Sequence, residues 1–252
     1  ITHEYTHILH LDMVGGLHVA FRIGRRPHGR HGHHQVVGAQ RVERDQTRPA
    51  EIEPYALFLF CGILPWTWFS ASLSEASGVL ISSGNLIKKV LFPAEILPLV
   101  SVLANMVHFF LGLPILGAFL AYYGAPLRAG ELVWFPVIVL VQLVFTAGLA
   151  LVLSALTVHF RDIRDILSNL LTFWFFATPI IYPMSQAPGM ARRLLDLNPF
   201  THLAVSYQEV LFYDGPFGHW KWLLALGTAS ALVFLGGYFL FDRLRDSFAE
   251  EV

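Results

Sequence analysis

The chain has 252 residues, 55% of them hydrophobic and 14% charged, with a formal net charge of −1. A soluble globular domain carries about one quarter charged residues, so this balance excludes an ordinary soluble enzyme and offers nucleic acid no basic surface. Cys61, the only cysteine, lies in an apolar run, which excludes a disulfide framework and a cysteine metal cage.

Residues 1–52 differ from the rest of the chain. Ile1 to Ala50 hold eight of the twelve histidines and seven of the 17 Lys+Arg, with no apolar run long enough to span a membrane. This composition predicts a segment that is disordered, or foreign to a fold that begins at Glu53. Within it, His3-Glu4-Tyr5-Thr6-His7 matches HExxH, which on a helix sets two imidazoles on one face for zinc beside a glutamate base. A membrane metalloprotease built on His3 and His7 would need that helix to continue, and the GRRPHGRHGHH stretch downstream cannot continue it. Adventitious metal binding by a His-rich tract is the plainer reading.

From Tyr55 onward the chain holds five apolar runs: Tyr55 to Leu73, Leu97 to Tyr123, Leu132 to Val158, Ile166 to Tyr182 and Trp222 to Phe241. Each is near the roughly 20 residues that carry a helix across the hydrocarbon core. Helix is required because lipid offers backbone groups no partner, and none of the runs alternates with the period of a barrel strand. The expected fold is therefore an all-α polytopic membrane bundle with five recognisable spans.

Between the first two runs lies GNLIKKVLFPAEILP, Gly84 to Pro98, too polar and too punctuated to span. Leu86, Ile87, Val90 and Leu91 share a stripe with Lys88 and Lys89 off it, the pattern of a short amphipathic helix at a membrane surface. Pro93 and Pro98 stop and restart the chain. Orientation is set by basic residues in short connections. Lys88, Lys89, Arg161, Arg164, Arg243 and Arg245 fall on one side, against Arg128, Arg192, Arg193 and Lys221 on the other. The first side is assigned to the cytoplasm. Five spans then leave the first fifty residues outside, a conflict that a sixth span ahead of Tyr55 would remove.

The turn His159-Phe160-Arg161-Asp162-Ile163-Arg164-Asp165 alternates charge within two helical turns. It reads either as a solvated helix start or, through Arg161 and Asp162, as a contact with a soluble partner. In the long connection from Met184 to Trp220, Asn198-Pro199 marks a turn. Leu203, Tyr207, Val210 and Leu211 then recur at helical spacing before Asp214-Gly215-Pro216. Short helices at or dipping into the outer surface are expected there.

No GxxxxGK[ST], no GxSxG and no paired carboxylate within a span occurs. If nucleotide energy is used, another chain binds it. Inside the spans the ionisable inventory is nearly empty: His108, with Asn105 and Gly112 on its face, reads mainly as interhelical packing, and the scarcity argues against a proton- or sodium-coupled carrier. Aromatic residues, by contrast, are dense. Tyr55, Phe58, Phe60, Phe173, Phe176 and Tyr182 fit an interfacial belt. Trp66, Trp68, Phe69, Trp174, Phe175 and Tyr182 suggest a path along which the C–H faces of sugars could stack and slide.

NLIKKVLFPAEILPL, HFRDIRDIL, TPIIYP and LNPFTHLAVSYQEVLF, in this order and spacing, resemble the ABC-2-type permease subunits of polysaccharide exporters, which move lipid-linked O-antigen, capsule or teichoic acid. The resemblance runs from about Glu53 to the C-terminus. It implies six helices with both termini cytoplasmic, a permease homodimer in the cytoplasmic (inner) membrane, and two separate ATP-binding cassette subunits, with no cofactor held by this chain. It places the coupling element on Asn85 to Glu95, including Leu86, Lys88, Lys89, Phe92 and Pro93, and an outer gate on about Ala191 to Tyr213, including Leu203, Tyr207 and Leu211. The start of the chain departs from the family, which has an interfacial helix and a first span there. A permease for drugs or small lipids is the alternative within the same fold.

Overall fold

The computed structural model describes residues 54–84, 93–125, 128–160 and 162–251. Asn85, Leu86, Lys88, Lys89, Phe92 and Arg161, expected to meet the partner, and the HExxH residues His3 and His7 lie outside them. The described part is all-α: α1 (Tyr55–Ser82), α2 (Ile96–Tyr122), α3 (Ala129–Leu132), α4 (Trp134–His159), α5 (Ile163–Phe176), a 3₁₀ turn (Met184–Gln186), α6 (Gly189–Leu197), α7 (Pro199–Leu211) and α8 (Trp220–Glu251).

Among the described residues four helical stretches are long and apolar enough to cross a membrane: α1, α2, Gly130–His159 and Trp220–Arg245. The expected span over Ile166 to Tyr182 is corrected. Its helix, α5, has 14 residues, about 21 Å at 1.5 Å per residue, short of the roughly 30 Å hydrocarbon core. Pro179 explains the stop, since the ring disfavours helix at the residue before it and supplies no amide proton. Thr178 Oγ1 donates to the Trp174 carbonyl at 2.8 Å, taking up an acceptor that the interrupted helix leaves open. Hydropathy alone passed over this break because Thr178 to Tyr182 is apolar.

The first span is longer than expected: α1 continues through Ser74, Glu75 and Ser77 to Ser82, 28 residues in all. It is the central helix, packing on α2, α4, α5 and α7. Phe58, Gly62, Pro65, Phe69, Ser72, Ala76 and Leu80 recur three or four residues apart on its buried face. Gln142 of α4 donates to the Pro65 carbonyl at 2.9 Å, and Trp68 Nε1 to the Val102 carbonyl of α2 at 3.1 Å. These bonds fix α1 in depth against two neighbours where no water competes.

α4 and α8 cross in direct backbone contact. A Cβ on Gly148 would stand 2.7 Å from the Phe234 nitrogen, and one on Gly237 would stand 2.6 Å from the Gly148 oxygen. Small residues at the crossing let the two backbones meet, the usual device where lipid supplies no hydrophobic drive to associate. At one end of the bundle Leu80, Ala94, Val158 and Phe241 cluster. At the other Trp134 packs on Phe217 and Phe58 on Phe212. The ends of α1 and α4 and the start of α2 thus share one membrane face, and the α7–α8 connection lies on the opposite one.

Candidate functional site

α1 has two unlike faces. Between its contacts with α2 and α5, Thr67, Ser74 and Glu75 are exposed and Ser70, Ala71 and Gly78 half-buried. This stripe recurs at i, i+3, i+4, i+7, i+8 and i+11 from Thr67, a helical face of small and hydroxylated side chains. Elsewhere the exterior suits lipid: Val107, Leu111 and Ile115 on α2 and Leu232, Leu235 and Phe239 on α8 are exposed. On α5 the polar residues Ser168, Asn169 and Thr172 are likewise exposed. The Arg164 guanidinium stands 3.6 Å from where a Cβ of Gly78 would be, so the start of α5 flanks the polar face of α1.

Most of these polar groups are satisfied by their own helix. Thr67 Oγ1 donates to the Ile63 carbonyl at 2.8 Å, Thr172 Oγ1 to Ser168 at 3.1 Å and Asn169 Nδ2 to Asp165 at 3.1 Å. A hydroxyl bonded in this way keeps its oxygen lone pairs turned outward. The face can accept weak, interchangeable hydrogen bonds without holding an orphaned donor in the membrane.

The nearly empty ionisable inventory is corrected by Glu75, which the longer α1 brings into the helix. Asn105 Nδ2 donates to Glu75 Oε2 at 2.7 Å and to the Ser101 carbonyl at 2.9 Å. Gly112 lies against Leu64 of α1, so both residues bind α2 to α1. His108 is exposed and lines a cleft of about 330 Å³ with Leu64, Thr67, Trp68, Ala71, Asn105 and Phe109.

The aromatic residues expected to line a path are placed otherwise. Trp66, Trp68 and Phe69 are buried, Phe69 completely, and belong to the hydrophobic core. Trp66 meets Phe200 edge-on at 4.9 Å and lies near Trp174 and Phe175. Phe69 stacks on Phe145 at 5.9 Å and meets Trp174 at 5.3 Å. Trp66, Trp68 and Phe69 are thus covered by core neighbours and offer no open face to a sugar, while Trp174 and Phe175 are half-buried. Tyr182 is half-buried and donates to the Phe176 carbonyl at 3.3 Å, and burial raises its phenol above the ordinary value.

The residues expected at an outer gate, Leu203, Tyr207 and Leu211, share one helix. α7 does not lie on the surface: Leu203, Tyr207 and Leu211 are buried, and nearly every residue from Phe200 to Leu211 is covered by α1, α4, α6 and α8. Asn198 ties it down. Its Oδ1 accepts from the Phe200 amide at 3.0 Å, capping α7, and from Trp174 Nε1 at 2.7 Å. Its Nδ2 donates to the Ala177 carbonyl at 3.0 Å and to Thr178 Oγ1 at 2.9 Å. Gln208 adds a bond to the Pro179 carbonyl at 2.8 Å. The broken end of α5 and the buried α7 are thus one hydrogen-bonded unit, which a turn signal at Asn198-Pro199 could hint at but not assemble.

At the opposite end Pro93 is exposed and Glu95 half-buried at the approach to α2, while Asp162 is exposed at the start of α5. Both approaches lie on the face that gathers the ends of α1 and α4.

The family model for the ABC-2 type transporter matches residues 21–212. This chain belongs to the ABC-2 type transporter family. It is similar to the O-antigen export system permease protein RfbA of Myxococcus xanthus, 39% identical over 203 residues that cover 80% of this chain and 77% of that protein. A permease of the same name from Klebsiella pneumoniae is 30% identical over 200 residues, covering 79% and 76%. The chain is accordingly a multi-pass membrane protein and the transport component of an ABC system, not an enzyme, and such a permease works with an ATP-binding partner. Its match reaches into the first fifty residues. The described part of this ABC-2 permease contains no group of three His, Cys, Asp or Glu side chains able to hold a metal.

Proposed function

We propose that this permease exports a lipid-linked polysaccharide of the O-antigen kind across the cytoplasmic membrane. Two copies pair in the membrane and two ATP-binding subunits dock beneath them. The polar face of α1, flanked by α5, is one wall of the path. The observation that carries this reading is the run of hydroxyls on Thr67, Ser70 and Ser74, the first and last of them exposed, on a face flanked by the exposed polar residues of α5, where the outer faces of α2 and α8 are mainly apolar. Burying hydroxyls in lipid costs free energy and serves nothing, whereas a hydrated glycan exchanges hydrogen bonds with them at little net cost. Relatives at 30–39% identity that are named for O-antigen export favour a glycan over drugs or small lipids.

In this scheme Asn85, Leu86, Lys88, Lys89, Phe92, Pro93 and Glu95, with Arg161 and Asp162, receive the motion of the partner when it closes on ATP. α7 is the outer gate, with Leu203, Tyr207 and Leu211 holding it shut by burial. Trp66, Trp68, Phe69, Trp174 and Phe175 stiffen the wall behind the path, and Tyr182 finishes the broken end of α5. Replacing Thr67 and Ser74 together by leucine makes the face lipid-like while touching no core contact. Export of polymer should fall at least about tenfold, the equivalent of about 1.4 kcal/mol at the limiting step, with membrane insertion and co-purification of the ATP-binding subunit unchanged. Wild-type export in that variant would remove the path from α1.

A further inference from the structure

Outside the four long helices, three segments meet at a pair of histidines. His202, in the first turns of α7, places Nδ1 3.0 Å from Nε2 of His219, which precedes α8. His202 Nε2 lies 2.9 Å from the carbonyl oxygen of Asp196 at the end of α6. His219 Nδ1 lies 3.6 Å from Oε1 of Glu209, whose Oε2 accepts from the Gly218 and His219 amides at 3.0 Å each.

We propose that His202 and His219 share a single proton that, together with Glu209, latches α7 to the segment leading into α8, and that a second proton opens the latch.

Donors and acceptors set the number of protons the pair can hold. A carbonyl oxygen only accepts, so the Asp196 contact requires hydrogen on His202 Nε2. A carboxylate only accepts, so a hydrogen on His219 Nδ1 turns the 3.6 Å approach to Glu209 into an ion pair. Between the rings one hydrogen makes a bond, two drive two donors together, and none sets two lone pairs face to face. Two hydrogens on the four ring nitrogens make both hydrogen bonds, and a third, on His219 Nδ1, gives the pair one positive charge beside the Glu209 carboxylate. A fourth hydrogen breaks the ring-to-ring bond and places two cations with ring centroids 5.3 Å apart.

The surroundings oppose that fourth hydrogen until the medium turns acidic. His202 stacks flat on Trp222 of α8 at 4.7 Å, a ring face that favours a cation slightly, so the opposition comes from burial and from His219. Burial first, and then the charge of His219, hold His202 below its ordinary value, against the Asp196 carbonyl bond and carboxylate, which raise it. Glu209 is pushed up by burial but pulled further down by the hydrogen bond and charge of His219 and by the two amides, so its carboxyl stays below the ordinary range. It remains ionised while the histidines take up the extra proton. Of the other charged groups on neighbouring elements, Glu131 of α3 is engaged by the Phe217 amide at 3.0 Å and Lys221 of α8 lies over the Trp220 ring. The sign is fixed: stability from an uncharged His202 is present at neutral pH and is lost as pH falls through its lowered value. Acid on the outer face would thus free the helix that seals it. The device does not depend on the identity of the exported molecule.

Amide hydrogen exchange of the full chain with its ATP-binding subunit in lipid nanodiscs tests it, with rates corrected for intrinsic pH dependence. Peptides covering 199–219 should lose about tenfold in protection between pH 7 and pH 5 while α4 peptides do not change. His202→Gln can donate and accept in the same contacts but cannot take a proton, and it should abolish the pH step. Glu209→Gln should show the lowered protection at both pH values. Should His202→Gln fail to keep α4 protected, His219→Gln makes the same test. Equal protection of 199–219 at pH 7 and pH 5 in the wild type, or an undiminished step in a folded glutamine variant, overturns the latch.

Discussion

The two sides of α1 obey opposite rules. One side, through Trp66, Phe69, Leu73 and Ala76, is packed ring against ring and ring against aliphatic chain, with almost no accessible surface. The other, through Thr67, Ser70, Ser74 and Gly78, offers small groups and hydroxyls at the same helical spacing. A helix that only had to sit in lipid would be apolar all round. On the proposed reading its core side sets stability and its open side sets what can move past it, so substitutions should separate the two effects.

The largest stability effect belongs to the core side. Phe69→Ala removes a completely buried ring that touches Trp66, Phe145, Trp174 and Phe200, and should cost about 3–5 kcal/mol. Thermal denaturation in detergent would show it as a large loss of folded protein, and a shift as small as that of an exposed-site change would mean that the ring cluster is not the wall described. Next comes Asn198→Ala, which deletes the α7 cap and the bonds to Trp174, Ala177 and Thr178. It should cost about 1–3 kcal/mol, and limited proteolysis should cut first between Ala177 and Tyr213 rather than within α4. Uniform loss of protection along the chain would show that Asn198 is not a local tie. Thr67→Leu with Ser74→Leu stands at the small end for stability and the large end for export, the inverse of Phe69→Ala.

Which features are legible in the sequence depends on what each signal measures. Hydropathy finds α1, α2, α4 and α8 because run length and polarity are what lipid demands. The same measure ends the first span at Leu73, where Ser74 and Glu75 lower the average, although those residues continue the helix to Ser82 and lie on the face proposed to line the path. It also carries the fourth run across Pro179, since apolarity persists where the backbone cannot remain helical. Counting aromatics does not separate wall from lining: Trp66, Phe69, Leu73 and Ala76 recur on the packed side, and that periodicity, not the number of rings, holds the answer. His202 and His219 are 17 residues apart without a motif, and only the return of the chain from α7 to α8 brings them within 3.0 Å. The family itself is readable through the resemblance carried by LFPAEILP, HFRDIRDIL and LNPFTHLA, taken in this order along the chain.

Access of water to the open side of α1 is the most direct test of the central claim. Cys61 is fully buried, so a charged, membrane-impermeant thiol reagent will report only on an introduced cysteine, and only where water admits both the reagent and the thiolate. In the assembled exporter, Thr67→Cys and Ser74→Cys should react and Val107→Cys, on the lipid-facing side of α2, should not, with reaction at 67 and 74 blocked while polymer is held in transit. Protection of 67 and 74 equal to that of 107, in an exporter that still moves polymer, would contradict the account.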